Sequence, residues 1–310
     1  MHYRQLGRTG IEVSEIGFGA WAIGGDAWGE VDDATSLRAL ERALELGVNF
    51  IDTADVYGDG RSERLVGQAV RGKRERVILA SKGGLMGHHR DPKREPVYDT
   101  PEKVIRAFEA SLQRLGTDYL DVYFDHIWWD KHEETEAFLA AFTRLKAEGR
   151  VRAVGVSTDS LEHVQHFNQH GGLDVVQLDY SLLNRRSEAG LLPYCEQHGI
   201  GVVVRGPLRM GLLSGKFSAQ TRFPEGDIRK DWPREAWFQE SLGKVERLRK
   251  WVGPGQNLSQ LALRYVLAHP AVSAAIPGAK TPEQVEQNVG ASVRPLLDEE
   301  LLESLRQAVA

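Results

Sequence analysis

The chain has 310 residues, 39 basic and 44 acidic, with a formal charge of -5, 41% hydrophobic and 27% charged residues. Ample apolar residues at low net charge exclude a disordered chain, and the lack of a basic stripe makes nucleic acid a poor partner. The single Cys195 allows no intrachain disulfide, no run nears the ~20 apolar residues of a membrane span, and MHYRQLGRTG has no apolar leader core, so a soluble cytoplasmic protein is expected. The first stretch alternates in short pieces around Gly7 and Gly10 and reads as a β-hairpin running into a buried strand near 16–19. A helix follows over 33–46, with Leu37, Leu40, Ala43 and Leu44 at helical spacing and Gly47 as its stop. Strand and helix then alternate: strand 49–52, helix 63–70, strand 77–80, helix 101–115, strand 120–125, helix 133–148. Strand 151–156, helix 161–166, strand 175–178, helix 191–198 and strand 202–204 continue the series. The eighth strand is 271–276, with helices over 282–289 and 298–308 behind it.

Eight short apolar strands separated by helices fit a closed (β/α)8 barrel occupying 1–310 as a single domain, with the hairpin before it and an additional C-terminal helix after it. An open doubly wound sheet usually has fewer strands and carries a phosphate loop. Neither GxGxxG after the first strand nor GxxxxGK[ST] is present. Two connections are long, 83–100 and 207–237. In a barrel both lie at the mouth formed by the C-terminal strand ends, where sites are built, although either could be a solvated insertion.

Asp52, Lys82 and His126 fall at or near the ends of successive strands, with Tyr57 in the turn after Asp52. A barrel brings these ends together. A lysine cation favours a phenolate and so lowers the pKa of a tyrosine. A carboxylate keeps the lysine charged, and a histidine can orient a carbonyl oxygen or join proton transfer. Singly, each residue has a plainer use: Asp52 as a loop cap, Tyr57 as a packed amphipath, Lys82 in solvent, His126 in structure. Asp121 and Asp125 share a strand and offer a rival carboxylate pair of the glycosidase type. A metal is disfavoured, because His88–His89 and His163/His166 lack HExxH spacing or a cysteine partner. Ser157 and Ser181 lack the context of a nucleophile elbow.

The sequence resembles the aldo-keto reductase superfamily over essentially its whole length, in particular bacterial members related to the potassium-channel β-subunits. GVNFIDTADVYGDGRSERLVGQAV carries the strongest likeness, joined by LASKGG, LDVYFDH, GVS, VVQLDYSLLNR, PLRMGLLSGK and IPGAKTPEQVEQN. The resemblance implies a catalytic tetrad on Asp52, Tyr57, Lys82 and His126, with Tyr57 as general acid in reduction and Lys82 depressing its pKa. It implies nicotinamide-carboxamide contacts by Ser157, Thr158 and Gln177, where Thr158 stands in place of a common asparagine. Arg205 takes the place of an aromatic that often covers the nicotinamide. Gly206, Pro207, Leu208, Gly211, Leu213 and Lys216 would cradle the cofactor. Gly278, Lys280, Gln284, Gln287 and Asn288 match the adenosine-phosphate loop. Lys280 could pair with a 2′-phosphate, so NADP(H) is favoured, while the absence of an arginine near Gln284 keeps NAD(H) possible.

On the substrate side, Trp21 and Trp128, with Tyr57 and His126, are expected to line the pocket, with Trp129 beside them, although one or both of Trp128 and Trp129 could pack between loops instead. Asp125 would favour hydroxylated substrates if it faces the mouth and is a surface charge if it does not. His88, His89 and Arg90 could meet a polar tail. The expected activity is NADPH-dependent reduction of small aldehydes or ketones. The alternatives are sugar or polyol oxidation, or a nucleotide-sensing subunit with slow turnover. The surface composition gives no oligomeric state.

Overall fold

The computed structural model describes residues 1–85, 98–126 and 132–310. The expectations placed on His88, His89, Arg90, Trp128 and Trp129 lie outside them. Strands β1 (Tyr3–Gln5) and β2 (Glu12–Ser14) form an antiparallel hairpin. The parallel sheet contains β3 (Phe18–Gly19), β4 (Phe50–Asp52), β5 (Ile78–Gly83), β6 (Leu120–Asp125), β7 (Val151–Ser157), β8 (Val175–Asp179), β9 (Gly201–Arg205) and β10 (Val272–Ala275), each hydrogen-bonded to the next in chain order. The ring shuts where the N–H of Gly17 donates to the carbonyl of Ala275 (2.8 Å) and that of Gly19 to Pro277 (3.2 Å). The N–H of Ala275 returns a bond to Glu15. The sheet is therefore the expected eight-stranded barrel.

Helices α1 (Asp33–Glu45), α2 (Arg61–Val70), α3 (Pro101–Leu115), α4 (His132–Ala147), α5 (Leu161–Phe167) and α6 (Leu191–His198) fill the crossovers up to β9. Local chemistry sets their ends. Asp32 accepts from the N–H of Thr35 to start α1, and Thr100 accepts from Lys103 ahead of Pro101 to start α3. Gly47 and Gly116 take left-handed conformations just past α1 and α3. Gly67 lets α2 lie on the last turn of α3, since a Cβ there would stand 2.5 Å from the Leu115 carbonyl oxygen.

Two helices were not expected: α7 (Ala236–Leu248) and α8 (Leu258–Ala268), ahead of the final α9 (Pro282–Val289) and α10 (Glu299–Ala308). For α8 the signal is present, because Asn257 and Gln260 cap one another's backbone in a capping box. The third barrel strand also runs further than 77–80, to Gly83, so Lys82 lies inside it rather than beyond it.

Alternation along the strands divides the core in two. Phe50, Ala80, Val122, Phe124, Ala153, Val175, Val203 and Ala274 point into the barrel, and Leu6, Ile11 and Val13 of the hairpin region join them from below. The other face of each strand packs against the helices in a second, larger cluster. Arg4 fixes the hairpin in place, donating to the carbonyls of Leu267 and Val272 and pairing with Glu15. Among the described residues, no helix is long and apolar enough to cross a membrane.

Candidate active site

A side chain in a strand shares its face with the residue two positions on. Two residues past the inward-facing Phe50, Ala80, Phe124, Val175 and Val203 come Asp52, Lys82, His126, Gln177 and Arg205, and Ser157 stands at the same parity on β7. The inner face thus turns from apolar to polar at the carboxyl ends of the strands. That switch builds the site.

Lys82 is completely buried there. Its Nζ donates to Asp52 Oδ2 at 2.7 Å, to the Thr53 carbonyl at 2.8 Å and to the Tyr57 hydroxyl at 3.1 Å. The other Asp52 oxygen accepts from Gln177 Nε2 at 2.7 Å. Burial opposes the charge of Lys82, but Asp52 and Tyr57 outweigh it and hold the ammonium above its ordinary pKa. Burial lifts Asp52 against the pull of Lys82 and Gln177. With both oxygens accepting N–H donors, the ion pair is the state the geometry supports.

Tyr57 departs from the expected direction. Burial raises its hydroxyl above the usual value of 10, and the Lys82 cation opposes the rise without cancelling it, while Asp52 adds to it. The phenol is consequently protonated at neutral pH, and the ammonium beside it is ready to stabilise the phenolate left by proton release. The His126 ring stands edge-on to that of Tyr57, centroids 6.1 Å apart, and Trp21 stacks at 6.0 Å on another side.

The tetrad opens on a cleft of about 550 Å³. It runs past Trp21, Ser157, Gln177 and Arg205, along Gly206, Pro207, Leu208, Gly211 and Lys216, to Gly278, Lys280, Gln284, Gln287 and Asn288. A cleft of this volume, lined by Ser157, Gln177 and several cations beside the phenol, fits a dinucleotide. Arg209, Met210 and Gly211 all take positive φ, 47°, 53° and 92°. The N–H groups of Arg209 and Gly211 are taken up by the carbonyls of Gly206 and Leu208, so the turn holds itself, and strain of this kind collects at functional positions.

Two expected cofactor contacts fall elsewhere. Thr158 is on the opposite parity from Ser157, and its hydroxyl accepts from the N–H of Ser160 and bonds His163 Nδ1. Leu213 is fully buried in the outer core. The carboxylate pair stays on one face of its strand, but not on the face of the cleft: Asp121 is held by Arg74, Arg152 and the N–H of Leu79, on the helix-facing side. Asp125 shares that face. It is 5% exposed, packed by Gly84, and so is neither a mouth residue nor a surface charge. His166 pairs with Glu136. Among the described residues, no group of three or more potential ligands could hold a metal.

The cleft also contains residues the sequence reading passed over: Trp28, Asp179, Arg209, Phe217 and Arg229. Trp28 sits in a glycine-rich turn, GGDAWG, whose only signal is an aromatic among glycines.

A buried ammonium between carboxylate and phenol, facing a dinucleotide-sized groove at a barrel mouth, is the equipment of an oxidoreductase that protonates a carbonyl oxygen. Comparison agrees: the model of the Aldo/keto reductase family matches residues 15–310, and the chain belongs to that family as an NAD(P)H-dependent oxidoreductase. It is 37% identical over 294 residues to the aldo-keto reductase YhdN of Bacillus subtilis (92% of this chain, 87% of the relative). It is 35% identical over 306 residues to the NADH-specific methylglyoxal reductase of Escherichia coli (92% of each). Its fold matches the glycerol dehydrogenase of Gluconobacter oxydans with TM-score 0.86 at 32% identity, covering 99% of this chain and 95% of the other. An aldo/keto reductase from Klebsiella pneumoniae in complex with NADP and acetate matches with TM-score 0.76 at 30% identity, covering 99% and 95%.

Proposed function

We propose that the chain acts as one barrel unit, reducing small aldehydes and ketones to alcohols with NADPH as the preferred cofactor, Tyr57 giving the proton. The carrying observation is the 3.1 Å contact of the Lys82 ammonium with the Tyr57 hydroxyl, with Asp52 behind it. A bound reduced nicotinamide supplies hydride to the carbonyl carbon. Tyr57 donates its proton to the carbonyl oxygen, and Lys82 stabilises the resulting phenolate until solvent returns the proton. His126 orients the oxygen. Ser157 and Gln177 would hold the carboxamide, and Gln177 also ties that subsite to Asp52. Lys216 and Lys280 line the cleft and would meet phosphates, Lys280 exchanging its bond to the Trp28 carbonyl for the 2′-phosphate that favours NADPH. The K. pneumoniae complex with NADP supports this choice, while the name of the E. coli relative supports NADH as an alternative.

Around Tyr57 the described wall is aromatic and apolar: Trp21, Trp28 and Leu85. With Asp125 turned away, the described wall favours small carbonyls bearing an apolar group over sugars. The decisive experiment follows nicotinamide absorbance with NADPH or NADH and a panel of aldehydes, ketones and sugars. Wild type is expected to turn over with NADPH, and Tyr57→Phe to lose about 10²- to 10⁴-fold in kcat, the usual worth of a positioned acid, while still binding nucleotide. Undiminished turnover in Tyr57→Phe removes Tyr57 as the acid. Tight nucleotide binding without turnover by the wild type would replace catalysis with a sensing role of the channel-subunit kind.

A further inference from the structure

Asp159 lies just past β7 and holds two neighbours on the barrel rim. One oxygen accepts from the backbone N–H of Asp179 at 2.7 Å, the other from the Arg205 guanidinium at 2.6 Å. Asp179 and Arg205 are register partners on β8 and β9. One carboxylate therefore ties together the mouths of three successive strands. Arg205 lines the cleft with Tyr57, Ser157 and Gln177, and its charge reaches the Tyr57 hydroxyl. A ring that passes hydride to a carbonyl hydrogen-bonded to Tyr57 must lie against this wall.

The pair itself contributes little to stability, since its side chains are 40% and 53% exposed. Two other cations on these strand ends and turns are already matched, Lys82 with Asp52 and Arg209 with Asp179. Left alone, Arg205 would present an uncompensated cation to the cleft.

We propose that Asp159 is a positioning residue that pins Arg205 to the cleft wall and cancels its charge, so that the nicotinamide can become cationic beside it. This rests on the cleft being the nicotinamide site. In reduction, hydride carries an electron pair to the carbonyl carbon, Tyr57 supplies a proton to the oxygen, and the ring passes from neutral to singly positive. A bare guanidinium penalises the positive ring and barely affects the neutral one. Asp159 thereby sets the relative affinity for oxidised and reduced cofactor, and with it the driving force for reduction.

The test titrates NADP+ and NADPH separately into wild type, Asp159→Asn, Arg205→Met and the double variant. Adenosine and phosphates are common to both nucleotides, so the ratio of the two Kd values isolates the ring. Asparagine keeps an acceptor for the Asp179 N–H. Asp159→Asn is expected to raise Kd(NADP+)/Kd(NADPH) by about three- to tenfold, the scale of one unit of charge across a half-exposed, screened gap. Arg205→Met should lower the ratio, because a lone carboxylate favours the positive ring, and the double variant should return near the wild-type ratio. An unchanged ratio in Asp159→Asn overturns the proposal, as does equal weakening of both nucleotides, the mark of a purely structural role. Wild type that binds neither nucleotide overturns the cofactor reading and this proposal together.

Discussion

Asp55 sits on the turn between Asp52 and Tyr57, and its carboxyl is poorly served. Oδ1 has no hydrogen-bond partner, and Oδ2 accepts a long 3.4 Å bond from the Tyr98 hydroxyl. Burial, then repulsion from Glu63, pushes the carboxyl up to about 7, with Arg114 opposing. Tyr98 and Tyr123 face the same space. Between the usual carboxylate range and 7, the folded chain keeps a proton that the unfolded chain has released. The associated stability is full below the unfolded pKa and is lost as pH rises through the folded one. Asp55→Asn should therefore gain in thermal midpoint over wild type as pH goes from about 5 to about 8. A gap that stays constant across that range would show that another group titrates. At this scale the sequence was most legible where parity rules applied. Asp52, Lys82 and His126 continue inward-facing series and strand ends pointed to them, whereas Gln177 and Arg205, at the same parity, came only from the family resemblance. Thr158, one residue past Ser157, turns its hydroxyl to Ser160 and His163, a direction that the family motif alone does not give. The shift of Tyr57 depends on how much water burial removes, which no spacing encodes.

Helix α2 carries a case in which two local rules compete. Alanine at Gly67 would improve helix propensity by about 1 kcal/mol. Its methyl would also stand 2.5 Å from the Leu115 carbonyl oxygen at the end of α3. That neighbour is backbone and can yield only by separating the helices, at a cost of about 1–3 kcal/mol. Gly67→Ala is accordingly expected to lower the urea midpoint, and a raised midpoint would mean that α2 and α3 are not in close contact. Elements with a clean period and a capping residue were readable in advance, as α1 and α3 show. The stretch from Arg205 to Val272 was not. Prolines, glycines and aromatics suggested a long connection over 207–237, no element was assigned over 238–270, and the cap at Asn257 opening α8 went unused. Helix α7 has no side-chain cap, and it packs on the aromatic cluster of Phe217, Phe223 and Trp232, contacts that only tertiary structure creates.

Over the whole molecule, two distant connections meet across the end of β10. Trp28, after β3, bridges to Asp227, after β9, and the N–H of Ile228 donates to the Ala27 carbonyl. Arg229 fastens the junction: it pairs with Asp227 at 2.6 Å, donates to the Met210 carbonyl and lies over the rings of Trp28 and Phe223. Lys280 donates to the Trp28 carbonyl. Trp28, Arg229 and Lys280 all line the cleft, so a nucleotide bound there would meet this junction. Loss of the ion pair and ring contacts in Arg229→Ala should speed NADPH dissociation about five- to tenfold in stopped-flow displacement, in keeping with the energy of a desolvated cation–ring contact. An unaltered off-rate would mean that the cofactor leaves by another route.

The bonds from Gly17 and Gly19 to Ala275 and Pro277 join the beginning of the chain to nearly its end. During synthesis, no ring can exist until Val272–Ala275 has left the ribosome, and before then β3 and β9 are both bare sheet edges. Contacts so remote in sequence make for slow closure. A nascent chain stalled ahead of β10 would thus be an open, adhesive sheet that needs shielding from its neighbours.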